Sequence, residues 1–318
     1  MRLQGWSLQG GNGPARHARA AVLVCALGLL ACSGCHLGQP QKISLPTRYK
    51  TTSDQLLVRS NFKLPQDDPL LRDLAALRKQ VSESLALPLQ SEPVVVYLFR
   101  DQTEYNQYMQ ATYPDLPPRR AYFIATSREL AVYGYWGERM DRIQEDLRHE
   151  YTHGLLHSAM STVPLWLDEG LAEYFEVSGP APGELNRTYA NQLAQQVSNG
   201  WRPDLDRLEK LEKVEQMHRA EYREAWAWVH FMMHSSPETR QVLLSYLQDL
   251  RTTRKAPSLS SRLREEVPEL NSRFLTYIGR RDRFGYLQPA PSLTVRLTMR
   301  RAPHRREPVV WKRSRQQA

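Results

Sequence analysis

Apolar and polar positions change their period along the chain. Gln55 to Ser60 reads as a strand, and so does the Val-rich run Pro93 to Phe99. Pro69 to Leu85 repeats its apolar positions at helical spacing instead. Asp101 with Glu104 has the capping-box pattern of a helix running to about Ala111, and Pro114 to Pro118 breaks the chain. Ala121 to Ala125 and Glu129 to Tyr133, joined across Thr126-Ser127-Arg128, predict a hairpin. Beyond Gly137 helical spacing takes over, in Met140–Met160, Leu165–Val177, Leu185–Val197, Ala220–His234, Thr239–Leu250 and Pro268–Ile278. Gly179 to Gly183 and Arg254 to Ser260 read as connecting loops. Sheet first and helices after predicts an α+β fold: an N-terminal mixed sheet with helices, then a mainly helical C-terminal part.

The N-terminus follows a different rule. Arg2, Arg16 and Arg19 precede twelve almost wholly apolar residues, Ala20 to Ala31, the pattern of a secretory signal and too short to span a bilayer. Leu29-Leu30-Ala31-Cys32 resembles a bacterial lipobox, which makes Cys32 the expected lipidation site, with Cys35 the weaker candidate and cleavage without lipid the alternative. The chain is therefore expected to be exported and held in the cell envelope by a lipid anchor, or else to be released as a soluble periplasmic or secreted protein. Residues 1–31 form the signal segment, 32–50 a linker, 51–285 the folded domain and 286–318 a tail.

Composition changes this picture in two places. With 318 residues, 41% hydrophobic and 24% charged, the chain has the balance of an ordinary globular protein. The formal net charge of +9 belongs wholly to Gly279–Ala318, and residues 1–278 are neutral. The tail, rich in Pro, Arg and Gln, is expected to be extended or disordered, with anionic envelope polymers or lipids as possible partners. A nucleic-acid-binding domain is not expected. Cys25, Cys32 and Cys35 are the only cysteines, so a metal in the folded part must be held by His, Asp or Glu.

Such a set is present. His149-Glu150-Tyr151-Thr152-His153 is an HExxH inside a predicted helix, where four-residue spacing stacks two imidazoles about 5–6 Å apart on one face. Both can bind one zinc ion. Glu150, angularly offset, reaches the water on such a metal rather than the metal itself.

A second segment follows, Pro164-Leu165-Trp166-Leu167-Asp168-Glu169-Gly170-Leu171-Ala172-Glu173-Tyr174-Phe175-Glu176. HExxH followed by W-L-x-E-G-x-A-x-Y resembles the gluzincin metallopeptidases, the superfamily of thermolysin and the zinc aminopeptidases, and most closely its bacterial peptidase-MA-like members. The strong match covers Leu147 to Glu176, and Lys50 to Ile278 agrees in element order. The resemblance implies a zincin-like fold and zinc on His149, His153 and Glu169. It makes Glu150 the general base and Glu173 the carboxylate that orients a ligand histidine. Fifteen residues lie between His153 and Glu169, fewer than in the best-known members, and nineteen between His153 and Glu173, so exchange of the two carboxylates is the alternative.

Tyr222, in Tyr222-Arg223-Glu224-Ala225-Trp226-Ala227, resembles the tyrosine that hydrogen-bonds the oxyanion in gluzincin aminopeptidases, the alternative being an aromatic that covers the core. His218 is a lesser candidate. The implied activity is zinc-dependent hydrolysis of a peptide or protein substrate. Endopeptidase action is the default, because no G-x-M-E-N exopeptidase motif is present. The strand Glu129–Tyr133 is, by resemblance, the edge that pairs with an extended substrate. The rival is a surface lipoprotein that keeps the fold as a binding or scaffold module without turnover.

Other histidines have simpler expectations. His157 continues the four-residue series but cannot complete a tetrahedron from the same straight helix, so it packs or supports. Leu156 and Ala159 stand where a metzincin needs glycine and histidine. His230, among Trp226, Trp228 and Phe231, is expected to be a satisfied core histidine.

Overall fold

The apolar runs of the first half pair into one mixed sheet, with strands β1 (Tyr49–Ser53), β2 (Leu56–Ser60), β3 (Val95–Phe99), β4 (Ala121–Ala125) and β5 (Leu130–Tyr135). These come from a computed structural model that describes residues 44–53, 56–89, 93–137, 140–179, 181–253, 256–279 and 309–310. The signal segment, Cys32 and all of the tail except Val309–Val310 lie outside the described residues. The strand order is β1-β2-β3-β5-β4-β6, where β6 is Val309–Val310. β2–β3 and β3–β5 are parallel, while β1–β2, β4–β5 and β4–β6 are antiparallel.

The parallel pairs require crossovers. Helix α1 (Pro69–Ser84) connects β2 to β3, and its N-cap Asp68 accepts from the Leu70 N–H. Helix α2 (Gln102–Thr112) follows β3, capped by Asp101, whose side chain accepts from the Glu104 N–H at 2.9 Å. β3 and β4 are buried along their whole length, as a sheet covered on both faces requires.

The expected α+β organisation is what the structure has, with two local corrections. Glu129–Tyr133 is not an edge: β5 lies between β3 and β4. The second strand of the hairpin pairs in parallel with β3 and so turns inward, which leaves β4 as the outer member, met along Ile124 and Ala125 by the short β6. Tyr49 and Lys50, assigned to the linker, already belong to β1.

Helices α3 (Met140–Ala159), α4 (Leu165–Glu176), α5 (Arg187–Ser198), α7 (Arg219–His234), α8 (Pro237–Thr252) and α10 (Leu270–Gly279) fall where the spacing predicts them. Short α6 (Leu205–Glu209) and α9 (Leu259–Glu266) were not expected, and α9 takes Leu259 and Ser260 out of the loop assigned to them. Five and eight residues are too few to show a period.

Helix α4 is the centre of the helical half. All twelve of its residues are buried, between α3 on one side and α7 on the other. Gly170 allows this: a Cβ there would stand 2.8 Å from the Ala225 carbonyl oxygen of α7. Gly154, directly after the HExxH, does the same for α3 against the sheet, since a Cβ would stand 2.6 Å from Val94 Cγ1.

Candidate metal centre

Helix α3 presents His149 and His153 on one face, as i,i+4 spacing dictates, with ring centroids 4.9 Å apart and Nε2 atoms 3.2 Å apart. Five residues connect α3 to α4, and Glu169, just past the first turn of α4, reaches the same point. Its Oε2 lies 3.3 Å from His149 Nε2 and 3.7 Å from His153 Nε2, and all three side chains are buried.

The spacing can be tested against a metal. Zinc bonds of about 2.0–2.1 Å in a tetrahedron separate neighbouring donors by about 3.4 Å. The three observed separations bracket that value, and the donor set, two imidazoles and one carboxylate, is one that zinc accepts with a fourth position left open. These residues fit a metal ion.

What lies behind the histidines strengthens the fit. His153 Nδ1 bonds Asp168 Oδ2 at 2.9 Å, and His149 Nδ1 bonds Glu176 Oε2 at 3.2 Å. A carboxylate only accepts, so each Nδ1 carries the hydrogen and each Nε2 turns its other valence toward Glu169. Both supporting carboxylates were missed from the sequence, although Asp168 is the immediate neighbour of Glu169 and Glu176 stands two helical turns after it. Glu173, expected to orient a histidine, has a carboxylate oxygen within 4.8 Å of ligand atoms on His149 and Glu176, a second group that could hold a metal. The bonds to Nδ1 are made by its neighbours. Asp168 also receives His157 Nε2 at 3.3 Å, so His157 supports the centre, stacked on the Phe123 ring.

Glu150 projects toward the sheet. The Phe123 N–H of β4 donates to its Oε2 at 2.7 Å, which fixes the carboxylate beside the two histidines. Tyr222 is buried on α7, the helix that packs against α4. His218 is exposed at the N-terminus of α7. His230 is a core histidine as expected: Nδ1 bonds Tyr277 Oη at 2.7 Å, and burial, with His234 adding to it, pushes the imidazole well below its ordinary range.

Residues 145–257 match the model of a family described as a protein of unknown function (DUF1570). The match is about a third of the chain and runs from the middle of α3 into the loop after α8, so it contains His149, Glu150, His153, Glu169 and Tyr222. No curated protein matches the sequence.

Electrostatics set a pH dependence. Burial works against a charged His153, but Asp168, and after it Glu169 and Glu150, outweigh burial and raise its pKa to about 9. Burial likewise works to raise Asp168, yet His153 and His157 hold it well below the usual carboxylate range. At neutral pH, when no metal is bound, a proton on His153 Nε2 therefore faces His149 Nε2 across 3.2 Å. A metal must expel that proton. Metal affinity is expected to rise about tenfold per pH unit below about pH 9 and to flatten above it. Calorimetric titrations at pH 7 in buffers of different ionisation enthalpy should show about one proton released per zinc. Uptake that is independent of pH between 6 and 8 would contradict this.

Proposed function

We propose that this protein is a zinc-dependent peptide hydrolase whose metal is held by His149, His153 and Glu169. The observation that carries the reading is the convergence of those three donors at zinc-like spacing, with Glu150 fixed beside them by the Phe123 N–H. The resemblance of Leu147–Glu176 to the gluzincins supports the same assignment.

Zinc, when bound, supplies a Lewis acid that polarises the substrate carbonyl and makes water acidic enough to react near neutral pH. The chain's own groups do the rest. Glu150 takes the proton from the attacking water and passes it to the departing amine, which needs a carboxylate that does not itself bind the metal. Tyr222 donates a hydrogen bond from its hydroxyl to the oxygen on which charge develops. Asp168 and Glu176 keep the two imidazoles in the tautomer that presents Nε2 to the metal. The N-terminal pattern and Cys32 support an exported, lipid-anchored protein acting in the cell envelope.

The test uses a mixed-sequence fluorogenic peptide library. Cleavage by the purified protein should vanish on stripping with a chelator and return with about one equivalent of zinc per chain. A protein that binds zinc at this centre and cleaves no member of the library would argue for a binding module instead.

A further inference from the structure

Two arginines stand side by side where the chain enters β4, and they part company. Arg120 pairs with Asp146 of α3, Nη2 to Oδ1 at 3.2 Å. Arg119 forms no ion pair among the described residues. Its guanidinium lies 5.2 Å from the centroid of the Tyr122 ring, and its Nη1 is sealed from solvent without a hydrogen-bond partner. It stands four residues before Phe123, whose N–H holds Glu150, and the carboxylates of Glu150 and Glu169 are among the groups whose charges act on it.

One oxygen of each nearby carboxylate is engaged elsewhere. Glu150 Oε2 is bonded by the Phe123 N–H, and Glu169 Oε2 faces the two Nε2 atoms. A guanidinium carries five donors in a planar fork suited to a carboxylate, and burying one donor without an acceptor is unfavourable. Stacking on Tyr122 fixes the fork's position but satisfies none of its N–H groups. An acceptor arriving with a ligand would.

We propose that Arg119 binds a carboxylate of the substrate, so that the site selects peptides bearing a negative charge close to the bond that is cut. This rests on the reading of His149, His153 and Glu169 as a zinc centre that binds peptides. The carboxylate has two sources, the C-terminus of a short peptide or the side chain of an Asp or Glu residue. The first would make the enzyme a remover of C-terminal residues, and the second an endopeptidase with acidic preference.

Thiol-capped dipeptides separate them. Mercaptoacetyl-Leu-Ala as the free acid and as its amide, and mercaptoacetyl-Leu-Glu-amide against mercaptoacetyl-Leu-Gln-amide, are titrated calorimetrically into the zinc-loaded full chain. The charged member of one pair should bind about ten- to a hundredfold more tightly than its neutral partner. Arg119→Gln should bring that ratio to about one with zinc content unchanged, and Arg119→Lys should restore part of it. The pair that responds identifies the source. Equal affinities within both pairs, no binding of any probe, or a preference that survives Arg119→Gln would each overturn the proposal. A chain that cleaves peptides without the preference loses this inference alone, and one that shows the preference but cleaves nothing loses only the catalytic reading.

Discussion

Replacing Glu150 by Gln is expected to lower kcat/KM for any peptide the protein cleaves by about 10²- to 10⁴-fold while zinc content stays at one per chain. The amide keeps the shape of the carboxylate and can offer its own oxygen to the Phe123 N–H, which now donates to Oε2 at 2.7 Å, so the side chain stays in place. What it loses is the ability to accept a proton from water and return it to the leaving amine. His149, His153 and Glu169 are untouched, so binding should survive the change. Zinc analysis and single-turnover cleavage on the same preparation separate the two functions. An unchanged rate would show that Glu150 is not the base and serves only as a buried anchor between α3 and β4.

The second large effect concerns folding. Arg148→Met is expected to destabilise the protein by about 3–5 kcal/mol, because it removes one partner of a buried ion pair and leaves the other behind. Arg148 is 2% exposed. Its Nη1 bonds Asp73 Oδ1 at 2.8 Å, and its Nε donates to the carbonyls of Phe175 at 3.0 Å and Glu176 at 3.1 Å. The guanidinium thus satisfies the C-terminal carbonyls of α4 while tying that end to α1. For a domain of this size the loss corresponds to a fall in Tm of about 10 °C. Glu176, whose side chain bonds His149 Nδ1, sits on that same end of α4, so zinc affinity should fall as well, by about tenfold. A thermal melt within about 2 °C of the unsubstituted protein would show that Arg148 does not carry this role.

Much of the site is readable from the chain because its residues are local. His149, Glu150 and His153 share one helix, and Glu169 lies early in the next, so four positions follow from helical period and one short connection. The carboxylates behind the histidines were less legible. Asp168, Glu173 and Glu176 lie within one helix, and the one that meets a given Nδ1 is decided by how α4 is rotated against α3, which no single-helix period reveals. Arg119 was invisible for a stronger reason. Its neighbours Glu150, Glu169 and Tyr222 come from three other elements, and only tertiary packing brings them together. The same holds for β5: its hairpin with β4 is local, but its place inside the sheet depends on a parallel pairing with β3 more than thirty residues earlier.

The strand order also gives the molecule a near side and a far side. β1, where the folded part begins, is one edge of the sheet, and β4, which holds Glu150 in position, is four strands across. At about 4.8 Å per strand that is about 19 Å. The strand that opens the folded part is therefore remote from the strand that holds the candidate base.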